Sequence, residues 1–295
     1  HFCTGTSHAA VGTLPRLGKR KETGRQIVAP RSQAVVTTPV QLVSRPFTSS
    51  LSASWTASTK AAAIAFETCH LPPARRRDIE RANLFSRRKW SPAVDIVVPI
   101  HNAFEDVKCC LESLVQNTKD NYSIIAVNDG SDPALEQYLG AFSTIHPRCR
   151  IIHNDTPKGY TRAANQGLKA SSGDYVILLN SDTIVASGWL EALIECGQSD
   201  PHIGVLGPLS NAASFQSVPE RRTAEGDWAV NSLPVGFSVG DMARLVSRLS
   251  QREFPRVPFV NGFCYVIKRS VIETIGYLDE ETFPQGYGEE NDYSL

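Results

Sequence analysis

The sequence predicts an α/β fold in which helices flank a mostly parallel central sheet, after a disordered amino-terminal extension. From Val94 onward, short apolar runs alternate with amphipathic stretches of helical length. The run Tyr175–Leu179 is uninterrupted, which is typical of a strand buried on both faces of a parallel sheet. It stops at residues 180–183, so Asp182 follows a central strand at the edge where open α/β sheets bind ligands.

Composition divides the 295 residues into an extension, residues 1–90, and one folded domain, residues 91–295. Fifteen of the 30 basic residues but only four of the 30 acidic ones lie in the extension, so its net charge is +11 and that of the domain is −11. The extension is rich in Ser, Thr, Ala, Arg and Pro without a sustained hydrophobic period, which predicts disorder. It is either a linker from an upstream domain or a targeting segment for an organelle.

The chain starts without Met and stops inside a predicted helix, so we expect a carboxyl-terminal truncation and further domains in a longer protein. No apolar run reaches the roughly 20 residues of a membrane helix, and no transmembrane span is predicted in this fragment. The seven cysteines show no metal-ligand spacing and indicate reduced thiols, hence a cytoplasmic location, with the cytosolic face of a membrane left open. The acidic domain lacks the basic face of a nucleic-acid binder.

The elements follow from local periodicity. Residues 104–116, for example, carry apolar side chains at helical spacing. The predicted strands are residues 94–100, 123–127, 150–153, 175–179, 202–206 and 259–268, and the predicted helices are residues 104–116, 134–142, 159–170, 187–196, 241–249 and 270–275. Strands separated by helices of this length imply right-handed crossovers and a parallel sheet. Residues 207–257 carry little regular pattern, which indicates a functional loop region.

Carboxylates follow the strands in three clusters: Asp129 with Asp132, then Asp182, then Glu289, Glu290 and Asp292. Carboxylates gathered at one edge repel each other unless a cation or a proton intervenes, so the pattern predicts a Mg²⁺ or Mn²⁺ site and a general base. Each cluster taken alone is also consistent with a polar turn or a solvated loop.

Several enzyme classes lose support because their motifs are absent from the sequence. No GxGxxG or GxxxxGK[ST] follows the first strand, and no GxSxG elbow precedes a helix, which argues against dehydrogenases, P-loop enzymes and α/β-hydrolases.

Arg162 and Asn165 lie one helical turn apart and either reach a phosphate or carboxylate or form a surface pair.

Six short motifs follow one another along the chain from residue 94 to residue 292. They are VDIVVPIHN at 94–102, VNDGS at 127–131, RAAN at 162–165, LNSDT at 179–183, NGF at 261–263 and GYGEEND at 286–292. Together they resemble the family 2 glycosyltransferases, including rhamnosyltransferase-like enzymes of polysaccharide assembly. The resemblance covers about residues 94–295 and implies the GT-A fold, the Rossmann-like fold of nucleotide-diphospho-sugar transferases.

The resemblance also implies a role for each matching residue. Pro99, His101, Asn102 and Asp129 would line the nucleoside pocket, with Asp129 accepting a hydrogen bond from the base. The other nucleotide-side positions are Arg162, near the diphosphate, and Asn180. Asp182 would bind the Mn²⁺ or Mg²⁺ ion.

Two positions depart from the family pattern. Asn180 replaces the first acid of the DxD motif, which leaves the metal fewer charged ligands. Glu290 stands where the family has the Asp of a Glu-Asp pair, the expected catalytic base. The assignment of the base among Glu290, Glu289 and Asp292 therefore stays open.

The implied activity is that of an inverting, metal-dependent hexosyl- or deoxyhexosyltransferase. It would move a sugar from a nucleotide-diphosphate donor to a hydroxyl of a glycan or glycolipid acceptor, with residues 207–257 on the acceptor side. Two alternatives are a catalytically silent GT-A module, which binds nucleotide sugar or a partner inside a larger polysaccharide-assembly protein, and a nucleotidyltransferase. The absence of a Gly-rich, Lys-bearing loop after the first strand counts against the nucleotidyltransferase.

Overall fold

A computed structural model of the protein describes residues 33–43, 91–119 and 121–295. The strands in these residues are β1 Gln33–Val43, β2 Val94–Ile100, β3 Tyr122–Asp129, β4 Cys149–Asn154, β5 Tyr175–Leu179, β6 Thr183–Ile184, β7 Ile203–Ser210, β8 Arg256–Val257 and β9 Cys264–Lys268. The helices are α1 Phe104–Asn117, α2 Pro133–Ile145, α3 Tyr160–Ala170, α4 Trp189–Ser199, α5 Val239–Leu249, α6 Arg269–Ile275 and α7 Glu289–Ser294, with a 3₁₀ turn at Ser214–Gln216.

The strands form one mixed sheet with the order β4-β3-β2-β5-β9-β7-β1-β6, and β8 pairs with β1. The pairs β4-β3, β3-β2 and β2-β5 are parallel, whereas β9 runs antiparallel to both β5 and β7. The predicted α/β class with a helix-flanked sheet is therefore confirmed. The antiparallel strand β9 is reached from β7 through a long irregular segment, and an antiparallel neighbour needs no crossover helix.

Helices cover both faces of the sheet because their apolar stripes match the apolar strands. On one face, α1 buries Val107, Leu111 and Leu114 in a cluster that also contains Trp189 of α4. On the other face α3 packs against Val97 of β2, and no Cβ would fit at Gly167, where the helix backbone lies against the Val97 side chain. The carboxyl ends of β2, β3 and β5 consequently meet at one edge of the sheet.

Strand β1 differs from the prediction of a disordered extension. Residues 33–43 pair in parallel with β7 and contain several β-branched residues, which favour strands. The sequence predicted disorder here because the segment lacks a local hydrophobic period. A local pattern does not report the pairing with β7, which is a long-range contact. The remainder of the predicted extension lies outside the described residues.

The described cysteines and helices add two further findings. Cys109, Cys110 and Cys149 are free thiols, and burial raises the pKa of Cys110 and of Cys149 to about 12. No helix within the described ranges has the length and apolar character needed to cross a membrane.

Candidate functional site

A cavity of about 910 Å³ opens at the carboxyl ends of β2, β3 and β5. Three stretches that are distant in sequence reach it: the strand ends, the start of α3 and the segment before α7. Eight of the ten predicted site residues line it, namely Pro99, His101, Asp129, Arg162, Asn180, Asp182, Glu289 and Glu290. Asn102 and Asp292 are not among the lining residues.

Asp129 ends β3 and is 4 % exposed, and its carboxylate holds the loop that leads into α3. Oδ1 accepts hydrogen bonds from Asn154 Nδ2 at 2.9 Å and from the Lys158 amide at 2.9 Å. Oδ2 accepts from the amides of Lys158 at 3.0 Å and Gly159 at 2.9 Å. Both oxygens are therefore engaged by protein donors, and a hydrogen bond from a nucleobase would be an additional one.

His101 and Asn102 connect the end of β2 to the loop after β3. His101 Nδ1 donates to the Asp129 carbonyl at 2.8 Å, which leaves Nε2 as an acceptor 3.2 Å from Asn102 Nδ2. The Asn102 amide donates to Ser131 Oγ at 3.0 Å, and its side-chain oxygen accepts from the Asp132 amide at 2.9 Å. Asn102 thus shapes the loops behind the cavity, which is why it does not line it.

A tight turn after β5 carries Asp182 into the cavity. The Asn180 amide donates to the Phe263 carbonyl at 2.9 Å, and the Thr183 amide donates to the Asn180 carbonyl at 3.2 Å. Oδ1 of Asp182 is buried. No group of three acidic, histidine or cysteine side chains with metal-binding geometry occurs in the part of the chain that the structure describes.

The carboxylates of α7 enter the cavity from the carboxyl-terminal side. Glu289 is 5 % exposed, and burial, together with the neighbouring charge of Glu290, raises its pKa to about 6. Glu290 accepts a hydrogen bond from the Gly288 amide at 3.2 Å and lies against Gly262, where a Cβ would be 3.6 Å from its carboxyl carbon. Asp292 is exposed on another side of this short helix, so the structure does not bring it into the cavity.

Tyr160, at the start of α3, is a lining residue that the sequence reasoning missed. Burial raises the pKa of its phenol, and the negative charges of Glu289, Glu290 and Asp182 raise it further. Its ring therefore lies close to carboxylates from two segments more than a hundred residues apart. No local signal in the sequence indicates this position.

The segment that carries the α7 carboxylates is attached to α3 by Asn165, which is 2 % exposed. Asn165 Nδ2 donates to the Leu278 carbonyl at 2.9 Å and to Glu280 Oε2 at 2.7 Å, and its Oδ1 accepts from the Leu278 amide at 3.0 Å. We call these three bonds the Asn165 clamp. Thr161 Oγ1 also donates to the Phe283 carbonyl. Asn165 thus points away from the cavity, whereas Arg162 lines it.

Lys158 and Arg162 supply positive charge to the same cavity. Neither forms an ion pair with an acidic side chain of the described residues. Lys158 was missed by the sequence reasoning because it sits in a loop without a motif, and only the Asp129 bonds to its amide place it at the rim.

Residues 207–257, expected on the acceptor side, do not line the cavity. Trp228 instead stacks on the guanidinium of Arg222, 4.0 Å from the ring centre. The segment contacts the lining residue Asn261, whose Nδ2 donates to Ser214 Oγ at 2.9 Å and whose amide donates to Gln216 Oε1 at 2.7 Å.

The chain is similar to known glycosyltransferases. The family model described as glycosyl transferase family 2 matches residues 95–276. Glycosyltransferase GlyG of Streptococcus pneumoniae serotype 4 is 31 % identical over 121 residues, 41 % of this chain and 40 % of that protein. An uncharacterized glycosyltransferase of Haemophilus influenzae is 29 % identical over 116 residues, 39 % of this chain and 36 % of that protein. The chain thus spans about two fifths of the length of these curated relatives.

A solved structure shares the fold. GalNAc-T7, crystallised with UDP, GalNAc and Mn²⁺, superimposes with a TM-score of 0.51 at 19 % identity, over 69 % of this chain and 39 % of that chain. The family model covers well over half of the 295 residues. The chain therefore belongs to glycosyl transferase family 2.

Proposed function

We propose that this domain transfers a hexosyl or deoxyhexosyl group from a nucleotide-diphosphate donor to a hydroxyl of a glycan or glycolipid, with inversion at the anomeric carbon. The observation that carries the proposal is the shared cavity, into which Asp129, Asp182, Glu289 and Glu290 converge from three distant segments. Carboxylates that converge in one large cleft mark a reaction site better than any one of them does alone.

The nucleoside of the donor would lie against Pro99 and His101, at the end of the cavity formed by β2 and β3. Lys158 and Arg162 then face the diphosphate, for which an ammonium and a guanidinium are suitable partners. Because Asp129 holds the Lys158 backbone, it would position this charge in addition to any contact with the base.

The described residues fit a divalent cation only if one protein carboxylate and the phosphates of the donor bind it together. Asp182 offers a single buried carboxylate oxygen at the edge of the sheet, and the described residues supply no cage of three ligands. Mg²⁺ and Mn²⁺ bind in this way when substrate phosphates complete the coordination. A cation held by Asp182 would stabilise the charge that develops on the leaving diphosphate.

We assign the general base to Glu290. It is the carboxylate of the α7 pair that remains partly accessible, so an acceptor hydroxyl can approach it. Glu290 would take the hydroxyl proton as the acceptor oxygen attacks the anomeric carbon from the face opposite the diphosphate. Glu289 is buried beside it, and this burial raises the pKa of Glu289 to about 6.

The finer features of the donor rest on the resemblance to rhamnosyltransferase-like enzymes, which suggests a deoxyhexose and a role in polysaccharide assembly. The cytoplasmic location likewise rests on the scattered free thiols and stays a prediction.

One observation favours the catalytically silent module as a second candidate. Asn180 stands where the family has an acid, and the cavity offers no preformed metal cage among the described residues. Such a module would still bind nucleotide sugar in the same cavity. It would not release nucleoside diphosphate.

The test is a screen of UDP-, GDP- and dTDP-sugars for thermal stabilisation with and without Mn²⁺, followed by measurement of nucleoside diphosphate release. A donor at 100 times its Kd adds about 2.7 kcal/mol to the free energy of unfolding. We expect Asp182→Asn to abolish the Mn²⁺-dependent part of the shift. Asp155→Asn, at a side chain that is 99 % exposed, should retain it.

The outcomes separate the candidates. Stabilisation with diphosphate release supports the transferase, and stabilisation without release supports the silent module. No stabilisation by any donor contradicts both.

A further inference from the structure

Tyr287 lies at the rim of the cavity in an unusual conformation. Its side chain is 96 % exposed although it lines the site, and its φ is +66°. A bulky residue with positive φ is a genuine outlier, and such strain persists mainly where function requires it. Since the ring is almost fully exposed, packing within the described chain does not explain the strain.

The backbone around Tyr287 forces the ring outward. Gly286 and Gly288 also have positive φ, +87° and +132°. A Cβ at Gly288 would lie 2.9 Å from the Phe283 ring, and one at Gly286 would lie 3.4 Å from the Tyr160 ring. The turn is closed by a hydrogen bond from the Gly286 amide to the Phe283 carbonyl at 3.3 Å. The loop is therefore packed on its inner side and presents Tyr287 on its outer side.

We propose that the Tyr287 ring is the platform on which a sugar ring of the acceptor stacks. This inference rests on the proposed function and names the acceptor side of the same site. Tyr287 and Glu290 both line the cavity and are three residues apart, whereas Pro99 and His101 line the end proposed above for the nucleoside. An acceptor whose hydroxyl reaches Glu290 would therefore lie close to the Tyr287 ring.

The chemistry of the ring suits a carbohydrate. The face of an aromatic ring is negative and attracts the C–H groups on the apolar face of a pyranose, while the phenol remains in water. Tyrosine also loses little conformational freedom on binding, because it has only two side-chain torsions. The backbone conformation sets the direction of the Tyr287 Cα–Cβ bond before the sugar arrives, so that binding orders only the two side-chain torsions.

The test measures binding of octyl glycosides of glucose, galactose, mannose, rhamnose and N-acetylglucosamine to the 295-residue chain by saturation-transfer NMR. We expect Tyr287→Gly to weaken binding at least tenfold, equivalent to about 1.4 kcal/mol. Tyr287→Phe should stay within about twofold because the ring face is retained. Tyr277→Ala, an exposed tyrosine that does not line the cavity, should bind as the wild type does.

Folding is monitored on the same samples. The melting temperature of Tyr287→Gly should stay within about 2 °C of the wild type, since glycine adopts positive φ freely. Three outcomes would overturn the platform. They are unchanged glycoside binding by Tyr287→Gly, an equal loss of binding in Tyr277→Ala, and no binding of any glycoside by the wild type.

UDP, GDP and dTDP are added in parallel to distinguish the two proposals. If a nucleotide stabilises both the wild type and Tyr287→Gly while the substitution leaves glycoside affinity unchanged, the acceptor platform is contradicted and the proposed function is not. If no nucleotide stabilises the wild type, the proposed function fails instead.

Discussion

The two sides of the cavity are held in different ways. The strand-end side, formed by β2, β3 and β5, is positioned by the register of a parallel sheet whose strands are buried. The carboxyl-terminal side, residues 278–290, is attached to α3 by the Asn165 clamp and by the Thr161 bond to Phe283, and to β9 by the Tyr265 phenol, which donates to the Glu290 carbonyl at 3.4 Å. A sheet distributes the loss of one contact over many others, whereas a clamp of three bonds at one side chain does not. We therefore expect the carboxyl-terminal side to be the easier one to displace.

The largest expected effect is on kcat, when the proposed base on the carboxyl-terminal side loses its charge but keeps its shape. Glu290→Gln should lower kcat by about 10²–10⁴-fold, because positioned general bases contribute that much. Asp292→Asn, on the same helix but outside the cavity, should leave kcat within about twofold, since exposed substitutions of this kind are nearly neutral. Steady-state transfer kinetics measure both. Equal losses in the two variants would remove Glu290 from the role of base.

A smaller effect follows from breaking the clamp. Asn165→Asp loses the donor to Leu278 and sets a charge against Glu280, so the free energy of unfolding should fall by about 2–4 kcal/mol. Urea unfolding measures the loss. Asn121→Asp, at an exposed residue whose side chain makes one hydrogen bond of 3.4 Å, is the control and should change stability by less than about 0.5 kcal/mol.

The same variant sharpens the comparison between the two sides. Nucleotide binding at the strand ends should survive in Asn165→Asp at temperatures where it remains folded, while transfer falls. Parallel losses of nucleotide affinity and transfer would show that the two sides move as one unit.

The smallest expected effect is a pH dependence at Glu289. Its pKa is raised in the folded state to about 6 from an ordinary 4.5, so the folded state binds the proton more tightly than the unfolded state does. This contribution to stability is complete below pH 4.5 and is lost as the pH rises through about 6, at a cost of about 2 kcal/mol at pH 8.

Glu289→Gln removes that cost. The variant should therefore be more stable than the wild type by about 1–2 kcal/mol at pH 8, with the gain disappearing toward pH 4. Urea unfolding across this pH range measures the difference, with the exposed Glu281→Gln as a pH-independent control. A gain that does not vary with pH would assign the effect to packing and not to ionisation.

Local pattern predicted most of the fold because the strands from β2 to β5 are short apolar runs and the helices between them are amphipathic. The strand-end residues Asp129 and Asp182 were found by the same reasoning, since a carboxylate after a buried strand must lie at the sheet edge. Strand β1 was not predicted because its pairing partner β7 lies more than 150 residues away in the sequence. Asp292 was included because three neighbouring acids look alike in sequence, although a helix sends them in different directions.

The sequence by itself determined the alternation of strands and helices, the family, and which strand ends carry acids. Only the tertiary structure decided that Tyr160 lies among the carboxylates, that Asn165 holds the carboxyl-terminal side, and that Tyr287 faces solvent at the rim. The physical reason is range: periodicity and propensity act over a few residues, whereas these three placements depend on contacts between α3 and a segment about 120 residues further along the chain.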